Sequence, residues 1–317
     1  HYQIDDGWQQ GLSQNSSSRA GILWDDWSSD DWNVNSVRFP NGLGPIVEKA
    51  KSLDIQLGLW FNPSKKENYA AWKRDKSILT GLYEKYNISW IKIDGLGIGN
   101  KQSENNVRQL LHGAIDESDQ MLQFNIDVTA GKRGGYFFLN DVGNIFLENR
   151  YTDWGNYYPH LTLRNVWTLS KYTPIQRIQI EWLNKWRNEK AYPKNDPLKP
   201  VHVPFDYMFA ITMVGQPLAW MEATALPDEA FEVVSLINTW KQERSSMQKG
   251  IIHPIGDEPN GYGFPGFVSY AKKRIYVLLF RENSKKNSSE YILPLSEGVD
   301  KLKFTRLAGN GNLIKAK

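Results

Sequence analysis

Short runs rich in β-branched and aromatic residues recur along the first three quarters of the chain, with amphipathic stretches between them. Seven runs read as strands: Tyr2–Asp5, Ile55–Phe61, Ile88–Asp94, Met121–Asp127, Asn144–Glu148, Gln176–Glu181 and Gln216–Glu222. Between them, Leu43–Leu53, Tyr69–Tyr86 and Gln102–Asp116 carry helical spacing, and Pro40-Asn41-Gly42 marks the entry to the first. Alternating strands and helices of this length predict a parallel sheet, and the repeated unit predicts an α/β fold of the (β/α)8 TIM barrel type. Seven strands are counted against eight. With the abrupt start at a strand and no initiator Met, the first βα unit is expected to be missing from this sequence.

After about Lys249 the texture changes. Phe264–Tyr270, Arg274–Arg281 and Glu290–Leu293 read as strands, with turn signals at Asn283-Ser284 and Gly309-Asn310-Gly311. The expected organisation is a catalytic barrel over residues 1–249 and an antiparallel β domain over 250–317.

Several predicted strands end in polar residues: Asp5-Asp6, Trp60, Asp94, Asp127 and Glu148-Asn149-Arg150. In a barrel such positions gather at the rim where active sites lie. The most telling is Trp90-Ile91-Lys92-Ile93-Asp94-Gly95, an apolar strand delivering a carboxylate to a loop. Residues two apart on a strand share a face, so Lys92 and Asp94 point the same way. A nearby ammonium favours the ionised carboxylate, the state a nucleophile of a retaining glycosidase needs. The plainer alternative is a strand-end Asp capping its turn, with Lys92 as its salt-bridge partner.

Composition narrows the classes. The formal net charge of +3 is dispersed, and Lys272-Lys273-Arg274 and Lys285-Lys286 are short solvated runs, so no nucleic-acid partner is expected. Without cysteine there are no disulfides, thiolate metal sites or cysteine nucleophiles. The five His have no metal-ligand spacing, so neither metal nor organic cofactor is expected. No apolar run is long enough to span a bilayer and no signal-peptide pattern is present; periplasmic, secreted and cytoplasmic locations all stay open. The 13 Trp are several times the ordinary share. Most are expected in the core, but aromatic faces also stack on sugars.

Four ordered motifs bring a resemblance. Ile4-Asp5-Asp6-Gly7-Trp8 resembles a strand signature of clan D glycoside hydrolases, the α-galactosidase and α-N-acetylgalactosaminidase group. Phe39-Pro40-Asn41-Gly42-Leu43 and Leu57-Gly58-Leu59-Trp60-Phe61-Asn62-Pro63 resemble the helix and strand that follow in glycoside hydrolase family 36. Ile91-Lys92-Ile93-Asp94 is similar to the nucleophile strand of that family, and Arg150-Tyr151-Thr152-Asp153 lies where its acid/base is expected. The resemblance runs from residue 1 to about 245.

It implies Asp94 as nucleophile and Asp153 as acid/base. It implies Asp5 and Asp6 on the 4- and 6-hydroxyls of the terminal sugar, Lys92 on ring hydroxyls, Trp60 as a subsite wall, and Arg133 near the scissile bond. The implied partner is an oligosaccharide or glycoconjugate with a terminal α-linked sugar. Such chemistry needs two carboxyls about 5–5.5 Å apart, one ionised and one protonated. Partial desolvation by Tyr151 and Trp154 would raise the Asp153 pKa, whereas Arg150 would lower it.

Two departures mark a divergent branch. The family's Cys-Ser-Gly-Gly-Gly-Arg type stretch reads here Asn125 to Gly135, keeping Arg133 and the small residues and adding Asp127. The acid/base segment reads Thr152-Asp153-Trp154 where the family has a Ser-Asp pair followed by Asn or Thr. Asp5-Asp6 as an acidic turn, and Asp127 or Glu148 in place of Asp153, stay open. Glu222 reads as a structural partner. A hydrolase for another α-glycoside, such as an α-N-acetylgalactosaminide, and a non-catalytic carbohydrate-binding fragment are the competing functions.

Overall fold

The structure, a computed structural model, describes residues 1–13, 26–128, 141–147, 151–221, 225–293 and 302–314. The chain forms two compact units, residues 1–148 and 149–317.

The first unit holds five strands: β1 (Tyr2–Ile4), β2 (Leu57–Phe61), β3 (Trp90–Ile93), β4 (Gln123–Asp127) and β5 (Gly143–Leu147). Each pairs in parallel with the next in sequence. Helix α1 (Gly44–Ser52) follows Gly42 and carries Pro45 in its first turn, where the missing N–H costs nothing. The predicted Tyr69–Tyr86 helix is shorter at its start. Glu67, Asn68 and Tyr69 take φ of 50°, 60° and 64°, which breaks the short turn α2 (Lys66–Tyr69) before α3 (Trp72–Tyr86) begins. Helix α4 (Lys101–Glu117) is capped by the Asn100 side chain, which accepts from the Ser103 N–H at 2.9 Å.

The period of two sorts the strands into two faces. Leu59, Ile91, Ile93, Phe124 and Ile126 are fully buried and join Leu79 of α3 and Val107, Leu110, Leu111 and Ala114 of α4 in one apolar cluster. The other face is polar. Trp60, Lys92, Asn125 and Asn144 stand in register across β2 to β5.

The second unit holds the parallel pair β6 (Ile178–Trp182) and β7 (Gln216–Ala219), with α5 (Pro159–Leu169), α6 (Phe205–Thr212) and α7 (Val234–Gln248). Trp182, Phe205, Met208, Phe209, Trp240 and Met247 form its core. Its antiparallel sheet runs β10-β9-β8, from β8 (Ile251–Gly256), β9 (Pro265–Ala271) and β10 (Arg274–Leu279). The sheet packs on α7, and Ser269 Oγ donates to the Met247 carbonyl at 2.6 Å.

All seven predicted parallel strands are present, each beside its sequence neighbour within its unit, and they make a partial (β/α)8 barrel with a C-terminal antiparallel sheet. Two predicted features of the C-terminal part change. Strand β8 replaces Glu290–Leu293, which is not a strand. Pro254 hides β8 from a pattern reading, and it is tolerated because β8 is an edge strand with one unpaired side. No described helix is long and apolar enough to cross a membrane.

Candidate active site

Strand β3 ends at Ile93, and Asp94 continues the polar face two residues beyond Lys92. Its backbone N–H donates to the Phe61 carbonyl at 2.9 Å, extending the β2–β3 ladder by one bond. Only 8 % of Asp94 is exposed. One carboxylate oxygen, Oδ2, accepts the Trp60 indole N–H at 3.0 Å. The Asp94 backbone carbonyl accepts from Asn62 Nδ2 at 2.9 Å, while Asn62 Oδ1 accepts the Trp27 indole N–H at 2.9 Å. Trp8 completes the support by donating its indole N–H to the Trp60 carbonyl at 2.8 Å. Backbone, carbonyl and carboxylate of Asp94 are thus each tied to a different group. Such over-determination fixes a carboxylate before any ligand arrives.

Gly95 is required for this. Its φ is +70°, and a Cβ there would lie 2.1 Å from Asn62 Nδ2. A side chain at 95 would displace the amide that holds the Asp94 carbonyl.

The tryptophans explain their own abundance here. Trp8, Trp27, Trp32 and Trp60 are 0 %, 1 %, 4 % and 1 % exposed. Their rings meet at centroid distances of 4.9 to 6.1 Å, and Trp32 also lies 4.1 Å from Phe61. Offset and edge contacts of this kind stabilise a core beyond the area they bury. Trp60, expected as a subsite wall, has its ring in this cluster and meets Asp94 through its N–H.

Beside Asp94 lies a buried charge cluster. Lys92 is 2 % exposed, and its Nζ donates to Asp5 Oδ2 at 3.2 Å. The same Nζ lies 3.9 Å from Asp127 Oδ2 and 4.5 Å from the Phe146 ring centroid. A buried ammonium is tolerated only where charge and π faces compensate it, and two carboxylates do so here. Burial pushes the Asp5 carboxyl above its ordinary value; Lys92 and the Asp6 amide pull it back, and the Asp94 charge adds to the rise. The Asp6 carboxylate holds its own loop, accepting from Gln9 Nε2 at 2.7 Å and from the Ser13 hydroxyl. Each of its oxygens keeps a second acceptor direction.

The raised Asp5 pKa makes stability depend on pH. Above the ordinary aspartate value of 3.8 the unfolded chain has lost its proton while the folded protein still holds one. Stability therefore falls as pH rises from 3.8 to the higher folded value. Asp5→Asn removes that proton uptake. Thermal unfolding of this variant between about pH 4 and pH 6 is expected to show a shallower decline than the wild type. Parallel curves for the two proteins would show that Asp5 does not titrate in this window.

Asp153 belongs to the second unit. It and Trp154 are the central residues of a turn closed by the Gly155 N–H to the Thr152 carbonyl at 3.1 Å. The turn is pinned by a following segment. Asn188 Nδ2 donates to Thr152 Oγ1 at 3.0 Å, and the Tyr192 hydroxyl donates to the Tyr157 carbonyl at 3.0 Å. Gly155 has φ +63°, and a Cβ there would lie 2.3 Å from the Ala191 carbonyl oxygen, so the segment needs glycine to approach this closely. Burial pushes the Tyr192 hydroxyl up to about 12, and the Asp153 carboxylate adds to the rise, so Tyr192 stays a donor. Asp153 and Trp154 are both exposed, so the desolvation expected from the flanking rings does not arise from burial at this turn.

Asp5, Trp60, Lys92, Asp94 and Asp127 are thus brought together in the first unit, with Asp6 on the adjoining loop. Arg133, Arg150, Glu148 and Glu222 lie outside the described residues. Sequence reading passed over Asn62, Trp27 and Phe146 as site residues. Asn62 sits in the quoted Leu57–Pro63 motif, the one signal that could have found it; Trp27 and Phe146 carry none.

No protein-family profile matches the chain. A stretch of 60 residues, 19 % of this chain and 7 % of the relative, is 35 % identical to an α-galactosidase of Escherichia coli. Among solved structures, a family 36 α-galactosidase from Geobacillus stearothermophilus, in complex with 1-deoxygalactonojirimycin, superposes with a TM-score of 0.67. It is 15 % identical, over 93 % of this chain and 45 % of its own length. The galactosidase domain of an α-galactosidase–sucrose kinase gives 0.64 at 14 % identity, over 90 % of this chain and 42 % of its own. The chain spans less than half the length of these solved structures. The resemblance to clan D glycoside hydrolases read from the sequence motifs thus extends to the fold.

Proposed function

We propose that this chain carries the catalytic face of a retaining, exo-acting α-glycoside hydrolase, with an α-galactoside as the substrate that fits best. The observation that carries the reading is Asp94. It is a strand-end carboxylate, almost fully buried, oriented by Trp60 and Asn62 and flanked by the Lys92–Asp5–Asp127 cluster. A carboxylate held this firmly beside charged hydroxyl-binding groups is arranged for attack on a sugar carbon. Likeness to α-galactosidase folds supports the choice of sugar.

In the proposed reaction, an Asp94 carboxylate oxygen attacks the anomeric carbon while the bond to the leaving oxygen breaks. Asp153 gives its proton to that oxygen. Water then attacks the same carbon, returns a proton to Asp153, and displaces the Asp94 ester. Two inversions give net retention. Asp5, with Asp6 from the adjoining loop, accepts hydrogen bonds from sugar hydroxyls, and Lys92 donates one while holding Asp5 in place. Arg133 and Arg150 complete the proposed binding set from the segments after β4 and β5, and Asp127 balances the Lys92 charge.

The test is a panel of p-nitrophenyl α-D-galactoside, α-D-glucoside and α-N-acetylgalactosaminide, with the first-formed anomer read by proton NMR. Galactoside cleavage giving α-galactose first is expected. Cleavage of another member first would move the sugar assignment without touching the chemistry. β-Galactose first, or no cleavage of any member, would overturn the retaining-hydrolase reading.

A further inference from the structure

We propose that Trp154 is the stacking platform of a subsite for a sugar leaving group, an inference that rests on the hydrolase reading of Asp153. Among the described tryptophans Trp154 is the exposed one, at 66 %. Isolated exposed apolar side chains are ordinary, and Tyr172, Tyr262 and Phe231 are others here. Position separates Trp154 from these. It and Asp153 are the two central residues of one turn, so both side chains leave the backbone at the same tip. A residue that protonates the glycosidic oxygen faces the leaving group, and its neighbour on the tip is placed to meet that group next.

The platform is also rigid. The Tyr151 ring stands edge-on to the Trp154 ring at 4.5 Å and 62°. The Tyr151 N–H donates to Asn156 Oδ1 at 2.8 Å, and the Asn188 and Tyr192 bonds anchor both ends of the turn. An aromatic face fixed before binding loses little conformational freedom when a ligand covers it. An indole face suits the C–H face of a pyranose, so the ligand is a second sugar ring rather than a small or charged leaving group. The family's own pattern has Asn or Thr where this chain has Trp154, so the platform would belong to this branch.

The experiment compares an α-galactosyl disaccharide with α-galactosyl fluoride, whose leaving group has no ring to stack and needs no proton. Trp154→Ala is expected to lower kcat/KM on the disaccharide about tenfold, mostly through KM, a change of about 1.4 kcal/mol. Trp154→Phe should recover part of it. The fluoride rate should stay near that of the wild type, which also reports that the turn and the fold are intact. An equal fall on both substrates would make Trp154 a support of the turn, and no fall on either would leave it without a sugar to bind; each result overturns the inference alone. Wild-type protein that cleaves neither substrate overturns the hydrolase reading, and the subsite falls with it.

Discussion

Replacing Asp94 with asparagine is expected to stop turnover while leaving the fold in place. The amide side chain of Asp94→Asn would keep an oxygen where Trp60 Nε1 now donates at 3.0 Å, so the indole would not be stranded in the core. The backbone bonds to Phe61 and Asn62 do not involve the side chain and should persist. A neutral amide cannot form the glycosyl ester, and loss of a nucleophile of this kind lowers kcat by about 10⁴-fold or more. Asp94→Ala should be equally inactive and less stable, because a buried indole N–H without a partner costs about 1–3 kcal/mol. The alanine variant makes room for a small anion, so azide should restore activity on an activated α-galactoside and give the β-galactosyl azide, the product of a single inversion. A fluorinated mechanism-based galactoside should label the wild type at Asp94. A label on Asp127, or an Asp94→Asn enzyme with ordinary activity, would move the nucleophile elsewhere on the polar face.

That polar face shows how far residue patterning reaches. The period of two places Lys92 and Asp94 on one side of β3 and Ile91 and Ile93 on the other, and the structure has the apolar pair in the core and the charged pair opposite. Parallel pairing then carries the sorting across β2, β4 and β5, which is why Trp60 and Asn125 share a row with Lys92. The partners of those side chains are less legible. The pattern assigns Lys92 to Asp94, yet its Nζ bonds Asp5, which is 87 positions away in sequence. The Trp27–Asn62 contact spans 35 positions and joins a loop to a strand end, with no periodicity to announce it. In the C-terminal part, Tyr291-Ile292-Leu293 has strand-like composition, but Tyr291 is held by its hydroxyl on the Phe264 carbonyl at 3.0 Å and not by a backbone ladder. Composition marks residues that suit a strand; only a free edge in register makes them one.

Asp153→Ala should show a loss that depends on the leaving group, and this dependence separates an acid/base from a merely structural turn residue. Asp153 sits at the tip of the turn, exposed, and the bonds that hold the turn come from Thr152, Gly155, Asn156 and Tyr157. Removing its carboxyl should therefore leave the turn standing. Departure of a sugar alcohol requires a proton, whereas a dinitrophenolate leaves without one, and general acid catalysis contributes about 10²–10⁴-fold. Hydrolysis of an α-galactosyl disaccharide should fall by about that factor, while glycosylation by a dinitrophenyl α-galactoside stays close to the wild-type rate. Deglycosylation should slow for both, since the same residue activates water, so the dinitrophenyl substrate should show a burst followed by slow turnover. Azide needs no general base and should lift that slow step, giving the α-galactosyl azide with retained configuration, opposite to the product expected from the Asp94 variant. Two azide anomers from two variants would assign nucleophile and acid/base in one experiment. Equal loss on every leaving group, with no burst and no azide rescue, would remove Asp153 from the chemistry and return Asp127 and Glu148 as candidates.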